Sequence, residues 1–144
     1  MSVRVAVGSD DRGPLLDALL ADLERRGAHV ERYGAIADGG TAWAEIGRAV
    51  GEAVAAGRAD VGVVCRWTGT GVSIAANKVR GVRAALCGDA ATAAGARTWN
   101  DANVLALSMR ATTPAVGVEI LAAFLATPAS DDAGDRAEIG KLDA

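Results

Sequence analysis

The sequence predicts a single-domain α/β protein built on a doubly wound sheet of five parallel strands. First, the chain has 144 residues, which is the length of one domain. Second, 51% of its residues are hydrophobic but only 3% are aromatic, so Ala, Val, Leu and Ile supply most of its apolar mass. Third, short β-branched runs alternate with segments of helical periodicity, as expected of parallel strands joined by crossover helices.

The first half of the chain predicts two strand–helix units. A β-branched run ends in Gly-Ser-Asp-Asp, which is typical of a buried strand that leads into a loop. Pro14 suits the first turn of the next helix, in which leucines at helical spacing form one apolar face. The predicted elements are a strand at 3–8, a helix from Pro14 to Gly27, a strand at 28–33, a glycine-rich loop at 34–41 and a helix at 43–56.

The second half continues the same alternation of strands and helices. The predicted elements are strands at 60–65, 82–87 and 103–107, a turn at 68–71, and helices at 72–78, 89–97 and 114–125. Past Pro128 the chain is polar and acidic, which is typical either of a short docked helix or of a loose tail. We therefore assign residues 1–127 to the α/β domain and residues 128–144 to a C-terminal tail.

Composition excludes several classes of partner and site. The net charge is −3 with no basic block, which argues against a nucleic-acid partner. No apolar run approaches the roughly 18 residues that span a bilayer, so no membrane partner is expected. Cys65 and Cys87 are too few for a disulfide framework and indicate a reducing, cytoplasmic protein. His29 is the only histidine, which excludes a multi-histidine metal site.

Ligands of such a sheet bind beyond the carboxyl ends of its strands, which directs attention to residues 8–13, 65–73, 88–89 and 108–110. Residues 68–73 lie between a strand and a helix, where glycines let backbone N–H groups approach an anion; a plain tight turn is the alternative. Asp10 and Asp11 follow the first strand. Adjacent carboxylates there can act as acid and base, or one of them caps the first helix.

Four further positions carry candidate chemistry. Cys65 ends a strand beside Arg66, whose charge favours a thiolate. Neighbouring residues on a strand point to opposite faces, however, so Cys65 is equally interpreted as a buried apolar side chain. Asn100 precedes the fifth strand and can orient a substrate hydroxyl, while Arg110 follows that strand and can bind an anion or form a surface ion pair.

Several longer motifs resemble one known family over nearly the whole chain. Residues 69–78 read GTGVSIAANK and residues 81–84 read GVRA. Residues 100–106 read NDANVLA, with Arg110 just beyond, and residues 5–10 read VAVGSD. These runs and their spacing resemble ribose-5-phosphate isomerase B and the galactose-6-phosphate isomerases.

The resemblance implies a flavodoxin-like fold that forms a homodimer, or a tetramer made of two dimers. It implies active sites in the dimer cleft that use loops from both subunits. The implied reaction moves a proton between C1 and C2 of an open-chain sugar phosphate through a cis-enediolate, without a metal or organic cofactor. Eight positions keep the family residue type: Asp10, Thr68, Gly69, Gly71, Ser73, Asn100, Arg110 and Arg136.

By the same resemblance, Asp10 contacts the ring oxygen or a hydroxyl. The loop amides from Gly69 to Ser73, including those of Thr70 and Val72, form the anion hole for the enediolate.

The departures from the family concentrate in the site. The family cysteine that acts as base falls at Arg66, and the glutamate that one branch uses instead falls at Val72. The remaining departures are Asp11 and Trp99 for histidines, Asp132 for a tail arginine, Trp67 for a glycine, and Trp43 and Glu45 in a loop that is tyrosine-rich in the family. A desolvated carboxylate repels phosphate, so phosphate binding is expected to be weak.

We therefore expect a divergent isomerase that acts on a non-standard, sugar-like or more apolar and planar substrate, in specialised metabolism. The candidate base is Asp10 or Asp11, then Cys65, then Glu45, with Arg66 supplying positive charge. Three tryptophans are expected to line the cleft: Trp43, Trp67 and Trp99. The alternatives are an ordinary sugar-phosphate isomerase that uses Cys65, a non-catalytic ligand-binding protein, and a subunit of a hetero-oligomer.

Overall fold

The computed structural model describes residues 2–143 and confirms the predicted α/β architecture. Its strands are β1 Arg4–Ser9, β2 His29–Gly34, β3 Val61–Arg66, β4 Ala84–Leu86 and β5 Val104–Ser108. Its helices are α1 Pro14–Arg25, α2 Trp43–Ala55, α3 Thr70–Asn77, α4 Ala90–Asn100, α5 Pro114–Ala126 and α6 Ala133–Leu142. A single 3₁₀ turn, Ala35–Ala37, follows β2.

The strand order determines where a ligand crevice can form. The five strands are parallel and lie in the order β2-β1-β3-β5-β4. The chain leaves β1 for β2 on one side, then returns to place β3 on the other side of β1. The carboxyl ends of β1 and β3 therefore flank the point where the winding reverses, which is the usual place for a ligand in an open parallel sheet.

Alternation along the strands divides the interior into two apolar layers. Val63 and Leu105 point to the face covered by α1, α4 and α5, whose buried side chains include Phe124. Val64 and Ala106 point to the opposite face, which α2 and α3 cover. Because strand neighbours face opposite layers, the position of each side chain in its strand decides which helices it meets.

Glycines bring α2 unusually close to both of its neighbours. A Cβ atom at Gly8 would lie 2.7 Å from Ile46 of α2, and one at Gly62 would lie 2.6 Å from Val50. On the α3 side of the same helix, a Cβ atom at Gly47 would lie 2.8 Å from the carbonyl oxygen of Val72. The missing side chains thus set the distance from the sheet to α2 and from α2 to the first turns of α3.

The fourth strand is three residues long, whereas the sequence predicts six. It lies at the edge of the sheet, where the side-chain amide of Asn77 donates to the carbonyl oxygen of Ala84 at 3.0 Å and accepts from its N–H at 2.7 Å. Just before the strand, the N–H of Arg83 donates to the side chain of Asn103 at 2.7 Å. The side chains of Asn77 and Asn103 thus bond backbone groups that would pair with a neighbouring strand if β4 were longer.

Two helix boundaries also differ from the sequence interpretation. The third helix begins at Thr70 rather than at residue 72. The fourth is N-capped by Asp89, which accepts from the N–H of Thr92 at 2.7 Å, and it continues to Asn100. Trp99 and Asn100 therefore belong to α4 and not to a loop.

The C-terminal segment folds as a short docked helix and not as a loose tail, the other structure that the sequence allowed. Asp132 caps α6 by accepting from the N–H of Asp135 at 3.0 Å. Ile139 is buried, and Arg83 is ion-paired with Asp143 at 2.8 Å just beyond the helix. Within residues 2–143, no helix is long and apolar enough to cross a membrane.

The close approach of α2 and α3 predicts that Gly47→Ala destabilises the protein. The added methyl group meets a backbone oxygen at 2.8 Å, and overpacking of this kind costs about 1–3 kcal/mol of unfolding free energy. Gly140→Ala is the matched control, because Gly140 also lies in a helix but nothing surrounds its Cβ position within 4 Å. In Gly140→Ala, the gain in helix propensity should raise the free energy of unfolding by up to about 1 kcal/mol. Urea unfolding of both variants tests this, and equal free energies for the two would contradict it.

Candidate active site

The 68–73 loop turns from β3 directly into the first turn of α3. Gly69 has φ 79, and a Cβ atom there would lie 2.8 Å from the backbone of Leu107, so only glycine fits. Gly69 is also the N-cap of α3 and offers no side chain to the helix. The carbonyl of Gly69 accepts from the N–H of Ser73 at 3.3 Å. The amide of Ser73 is therefore not free to bind an anion, although it was expected to be part of the anion hole. Among the described residues, none accepts from the amides of the three residues between.

Asp10 and Arg66 meet at the point where the sheet winding reverses. Asp10 directly follows β1 and Arg66 ends β3, its direct neighbour in the sheet. Asp10 Oδ2 lies 3.0 Å from Arg66 Nε, and the two side chains are 18% and 33% exposed. Nε is buried and has no well-aligned hydrogen bond to any described residue, so the contact is an ion pair without a directed hydrogen bond. The Asp10 carboxylate is therefore an ionic partner of Arg66 Nε, but it does not satisfy the hydrogen-bonding capacity of that buried donor.

Trp43 also contacts Arg66. The guanidinium carbon of Arg66 is 5.3 Å from the centroid of the indole ring, which is cation–π distance. The ring also covers Gly71, where a Cβ atom would lie 2.8 Å from it. Trp43, Arg66 and the first turn of α3 therefore form one packed group.

A cleft of about 320 Å³ opens beside this group. Asp10, Asp11, Arg66 and Trp67 line it, as expected. Arg12 and Met109 also line it. Both lie in segments that follow predicted strands, 8–13 and 108–110, although neither was named as a candidate residue. The remaining lining residues are Gly13 and Pro14. Both acidic and basic side chains thus face the space in which a ligand would lie.

A second hollow of about 340 Å³ lies on the β5 side of the loop. Thr68 and Arg110 line it, and the hydroxyl groups of Thr68 and Thr70 share a hydrogen bond at 2.9 Å. The N–H of Arg110 and the hydroxyl of Ser108 both donate to the carbonyl of Trp67 at 2.9 Å. These bonds fix the loop to the segment after β5 and place one arginine within reach of an anion there.

Trp99, Asn100 and Arg136 do not join this site within one chain. They lie on α4 and α6, and the end of α4 leads to the amino end of β5, whereas the 68–73 loop follows the carboxyl end of β3. A parallel strand of five residues, at about 3.3 Å per residue, separates the two edges. Asn100 instead lines a separate hollow of about 410 Å³, and Arg136 pairs with Asp101 at 3.2 Å. Within one chain, these three residues therefore do not meet the 68–73 loop.

The tryptophans are on the surface and not in the core. Trp43 is 39% exposed, Trp67 is 61% exposed and Trp99 is 63% exposed. The ring of Trp99 lies over Gly95, one turn earlier in α4. Trp67 lines the cleft, Trp43 packs against Arg66 and Gly71 without lining it, and Trp99 lies at the other edge of the sheet.

Cys65 is buried and unsuited to act as the base. Its side chain packs in the layer under α1, α4 and α5, as strand alternation predicts. Burial raises the pKa of the Cys65 thiol to about 12, and the nearby charge of Asp10 adds to the shift. The thiol is therefore protonated at neutral pH, and Arg66 does not convert it to a thiolate.

Four candidate residues remain to be placed: Asp10 and Asp11 as possible caps, Glu45 and Val72. Neither Asp10 nor Asp11 caps α1, because Gly13 is the N-cap and the Asp11 carboxylate accepts from the N–H of its neighbour Arg12, at 2.8 Å. Glu45 lines a different hollow, between α2 and the end of β2. The side chain of Val72 is buried under α3, so only its backbone amide faces the loop. Within residues 2–143, no group of three or more acidic, histidine or cysteine side chains comes together to hold a metal ion.

Comparisons with known proteins agree with one another. The family model described as Ribose/Galactose Isomerase matches residues 5–142. The DNA damage-repair/toleration protein DRT102 of Arabidopsis thaliana is 38% identical over 128 residues, which are 88% of this chain but 40% of that protein. Ribose-5-phosphate isomerase B of Escherichia coli (strain K12) is 37% identical over 118 residues, 81% of this chain and 76% of that one.

A solved structure extends the likeness to the fold. The type B ribose 5-phosphate isomerase of Trypanosoma brucei is 39% identical and superposes with a TM-score of 0.88, covering 99% of this chain and 98% of that one.

Burial predicts that neither cysteine reacts while the protein is folded. Both side chains are buried, and burial also raises the pKa of Cys87, to about 11. Since the thiolate is the reactive form, DTNB at pH 8 should label neither cysteine in the native protein and both after unfolding in guanidinium chloride. Rapid labelling of Cys65 in the native protein would contradict this placement.

Proposed function

The chain belongs to the ribose/galactose isomerase family, and on that premise we propose that it catalyses an aldose–ketose-type isomerisation, or a related proton transfer, through an enediolate or enolate. The observation that carries the proposal is the position of the Asp10 carboxylate. It lies 3.0 Å from Arg66, at the strand-winding reversal, and both side chains line one cleft. A proton acceptor and a cation thus face one space, and the unpaired amides begin four residues after Arg66, at the start of α3.

In the proposed reaction, Asp10 is the base. Its carboxylate takes the proton from the carbon next to the substrate carbonyl and returns it to the neighbouring carbon, so the sugar is rearranged without net oxidation. The electron pair of the broken C–H bond forms a carbon–carbon double bond, and the π pair of the carbonyl moves onto its oxygen. The proton of the neighbouring hydroxyl group passes to that oxygen, and the new carbonyl forms as the carbon-bound proton is returned. Arg66 and the free amides at the start of α3 face this developing oxyanion and stabilise it, since charge that forms in the transition state is best held by preorganised donors. Asp11 lines the same cleft and is the second candidate base.

The proposed substrate is sugar-like and less dependent on a phosphate than the family's usual ones. The exposed indole of Trp67 offers a flat apolar surface in the cleft. Asp11 adds a carboxylate that repels a phosphate entering there. Arg110 is the nearest expected anion ligand, and it lines the other hollow. The carboxylate of Asp132 caps α6, so the case for weak phosphate binding rests mainly on Asp11.

We propose a homodimer with shared sites, or a tetramer of two such dimers. The 68–73 loop and the group formed by Trp99, Asn100 and Arg136 lie at opposite edges of one subunit, so a second copy is needed to bring them together. Ile74 on α3 and Leu86 on β4 are exposed apolar side chains near the loop, which supports an interface on this side. The tail, residues 128–144, carries Arg136 and would pack near the dimer cleft.

Two subsidiary proposals follow from the same residues. The unpaired cysteines, Cys65 and Cys87, fit a protein that stays in the reducing cytoplasm. A sugar-like substrate other than the common ribose and galactose phosphates would place the reaction in specialised metabolism.

The role of the base predicts a clear difference between two variants. Incubation with candidate sugars in D₂O, followed by proton NMR, detects abstraction of a carbon-bound proton on any substrate. The candidates are ribose 5-phosphate, galactose 6-phosphate and the two free sugars. Asp10→Asn should lower the rate of exchange at least about 100-fold, the usual scale of general base catalysis. Cys65→Ala should retain the rate, because the buried thiol takes no part.

The opposite outcomes are equally clear. Loss of exchange in Cys65→Ala with normal stability would return the role of base to the thiol. Turnover of ribose 5-phosphate at the rate of the Escherichia coli enzyme, assayed in parallel, would overturn the proposed change of substrate. Binding of a sugar without any exchange would favour the non-catalytic alternative.

Shared sites predict that two inactive variants complement each other. Asp10→Asn damages the loop side of a site and Asn100→Ala damages the side proposed to come from the other subunit. After subunit exchange, half of the dimers are hybrids and each hybrid has one intact site, so about a quarter of the wild-type activity should return. Sedimentation of the mixture confirms that dimers are present. A mixture that stays inactive although hybrids form would contradict the sharing of sites.

A further inference from the structure

The position of Trp43 is fixed by its helix before its ring makes any contact. Trp43 is the first residue of α2, and α2 is held against the sheet at Gly8 and Gly62 with no room for a Cβ atom at either position. Two glycines of the helix face α3: a Cβ atom at Gly47 would lie 2.8 Å from Val72, and one at Gly51 would lie 3.2 Å from Ala76. The indole ring is therefore attached to one of the most tightly packed helices of the protein, although the ring itself is partly exposed.

The indole ring of Trp43 also packs against Gly71 of the 68–73 loop. A Cβ atom at Gly71 would lie 2.8 Å from Cζ3 and 2.9 Å from Cε3 of Trp43, so the ring occupies the space of the missing side chain. Gly71 is one of the residues whose amide lacks an acceptor among the described residues. The indole thus lies directly beside the proposed anion-binding turn.

Arg66 depends on this ring for the orientation of its guanidinium plane. The ion pair with Asp10 attracts the guanidinium at 3.0 Å, but it includes no well-aligned hydrogen bond that would define the plane. The indole, 5.3 Å from the guanidinium carbon, supplies the second restraint, and stacking favours one orientation of the plane. Without the ring, a long side chain with several rotatable bonds would be held by a charge alone.

We propose that Trp43 is a positioning residue that acts through Arg66, holding the guanidinium between the Asp10 carboxylate and the first turn of α3. The kinetic consequence rests on the proposed function, but the positioning itself does not. Trp43 thereby differs from Trp67, which is more exposed and has no cation stacked on it, and which is the better platform for a substrate. The packed helix, the glycine under the ring and the guanidinium beside it all support this role.

The direct test is the mobility of Arg66 Nε in uniformly ¹⁵N-labelled protein. The heteronuclear NOE of the Nε–H group should be high in the wild type, fall clearly in Trp43→Leu, and recover in Trp43→Phe, which retains an aromatic face. Arg97 is the internal reference, because its guanidinium carbon lies 5.0 Å from the ring of Phe124 in the opposite layer. Its NOE should be the same in all of these proteins. An unchanged NOE for Arg66 in Trp43→Leu would overturn the proposal.

A second variant moves the ring without removing it. Gly71→Ala places a methyl group where the indole now lies, and it adds helix propensity, so folding should be retained even if Trp43→Leu does not fold. The Arg66 NOE should fall in Gly71→Ala as well. Tyr33→Phe is the matched control for an aromatic substitution outside the cleft, and it should leave the Arg66 NOE unchanged. If Gly71→Ala displaces the ring, as judged by its NMR shifts, and Arg66 stays ordered, the proposal is wrong.

Kinetics separate positioning from substrate contact. If Arg66 acts on charge that develops in the transition state, Trp43→Leu should lower kcat about 10-fold with little change in KM, and Trp43→Phe should restore most of it. A raised KM with unchanged kcat would mean that the ring binds substrate directly and would overturn the positioning role. If no sugar is turned over at all, the proposed function fails, whereas the NOE of Arg66 still decides the role of Trp43.

Discussion

The close packing of α2 at four glycines is the constraint on which the rest of the structure depends. Gly8 and Gly62 let the helix rest on the sheet, and Gly47 and Gly51 let it touch α3. Protein interiors are packed densely enough that one added methyl group at such a contact is felt. This packing fixes α2 against the start of α3. It thereby places Trp43, the first residue of α2, on Gly71 of the 68–73 loop.

The ion pair between Asp10 and Arg66 is the second feature that shapes the site. Parallel pairing of β1 with β3 sets Ser9 beside Cys65, so the next residues along both strands, Asp10 and Arg66, emerge together at the carboxyl edge. An arginine at this position changes the chemistry available to the site, because a guanidinium stays protonated and cannot accept a proton. In the proposed reaction the proton acceptor therefore comes from elsewhere, and the Asp10 carboxylate beside Arg66 takes that role with no change in the fold. The proposal thus links the arginine and the base through a single ion pair.

Much of this arrangement follows from the sequence, because periodicity and strand direction are local properties. Alternation predicted that Cys65 faces the interior, and the carboxyl-end rule brought Asp10, Arg66 and the loop together. The short β4 was not predictable, because the hydrogen bonds from Asn77 to Ala84 depend on where α3 returns. Capping of α1 by Asp10 or Asp11 was wrong, because the chain extends through Gly13 before the helix begins. Distances between the separate groups of site residues depend on the whole fold and, in the proposed dimer, on a second subunit, which no local pattern encodes.

The two groups of site residues differ in how firmly one subunit holds them. Arg66 is restrained by a ring and a carboxylate, whereas Arg136 is held only by the surface ion pair with Asp101, with side chains 47% and 26% exposed. Such exposed pairs contribute about 0–1 kcal/mol, which is little against a charge-assisted bond to a desolvated anion. In the proposed dimer, the loop side therefore supplies a preorganised centre for the reacting atoms, while the partner's side supplies a cation that a ligand can draw away from Asp101. The part of the substrate farthest from the reacting carbons would then be recognised by residues of the partner subunit. Among these, Arg136 would change its position when a ligand binds.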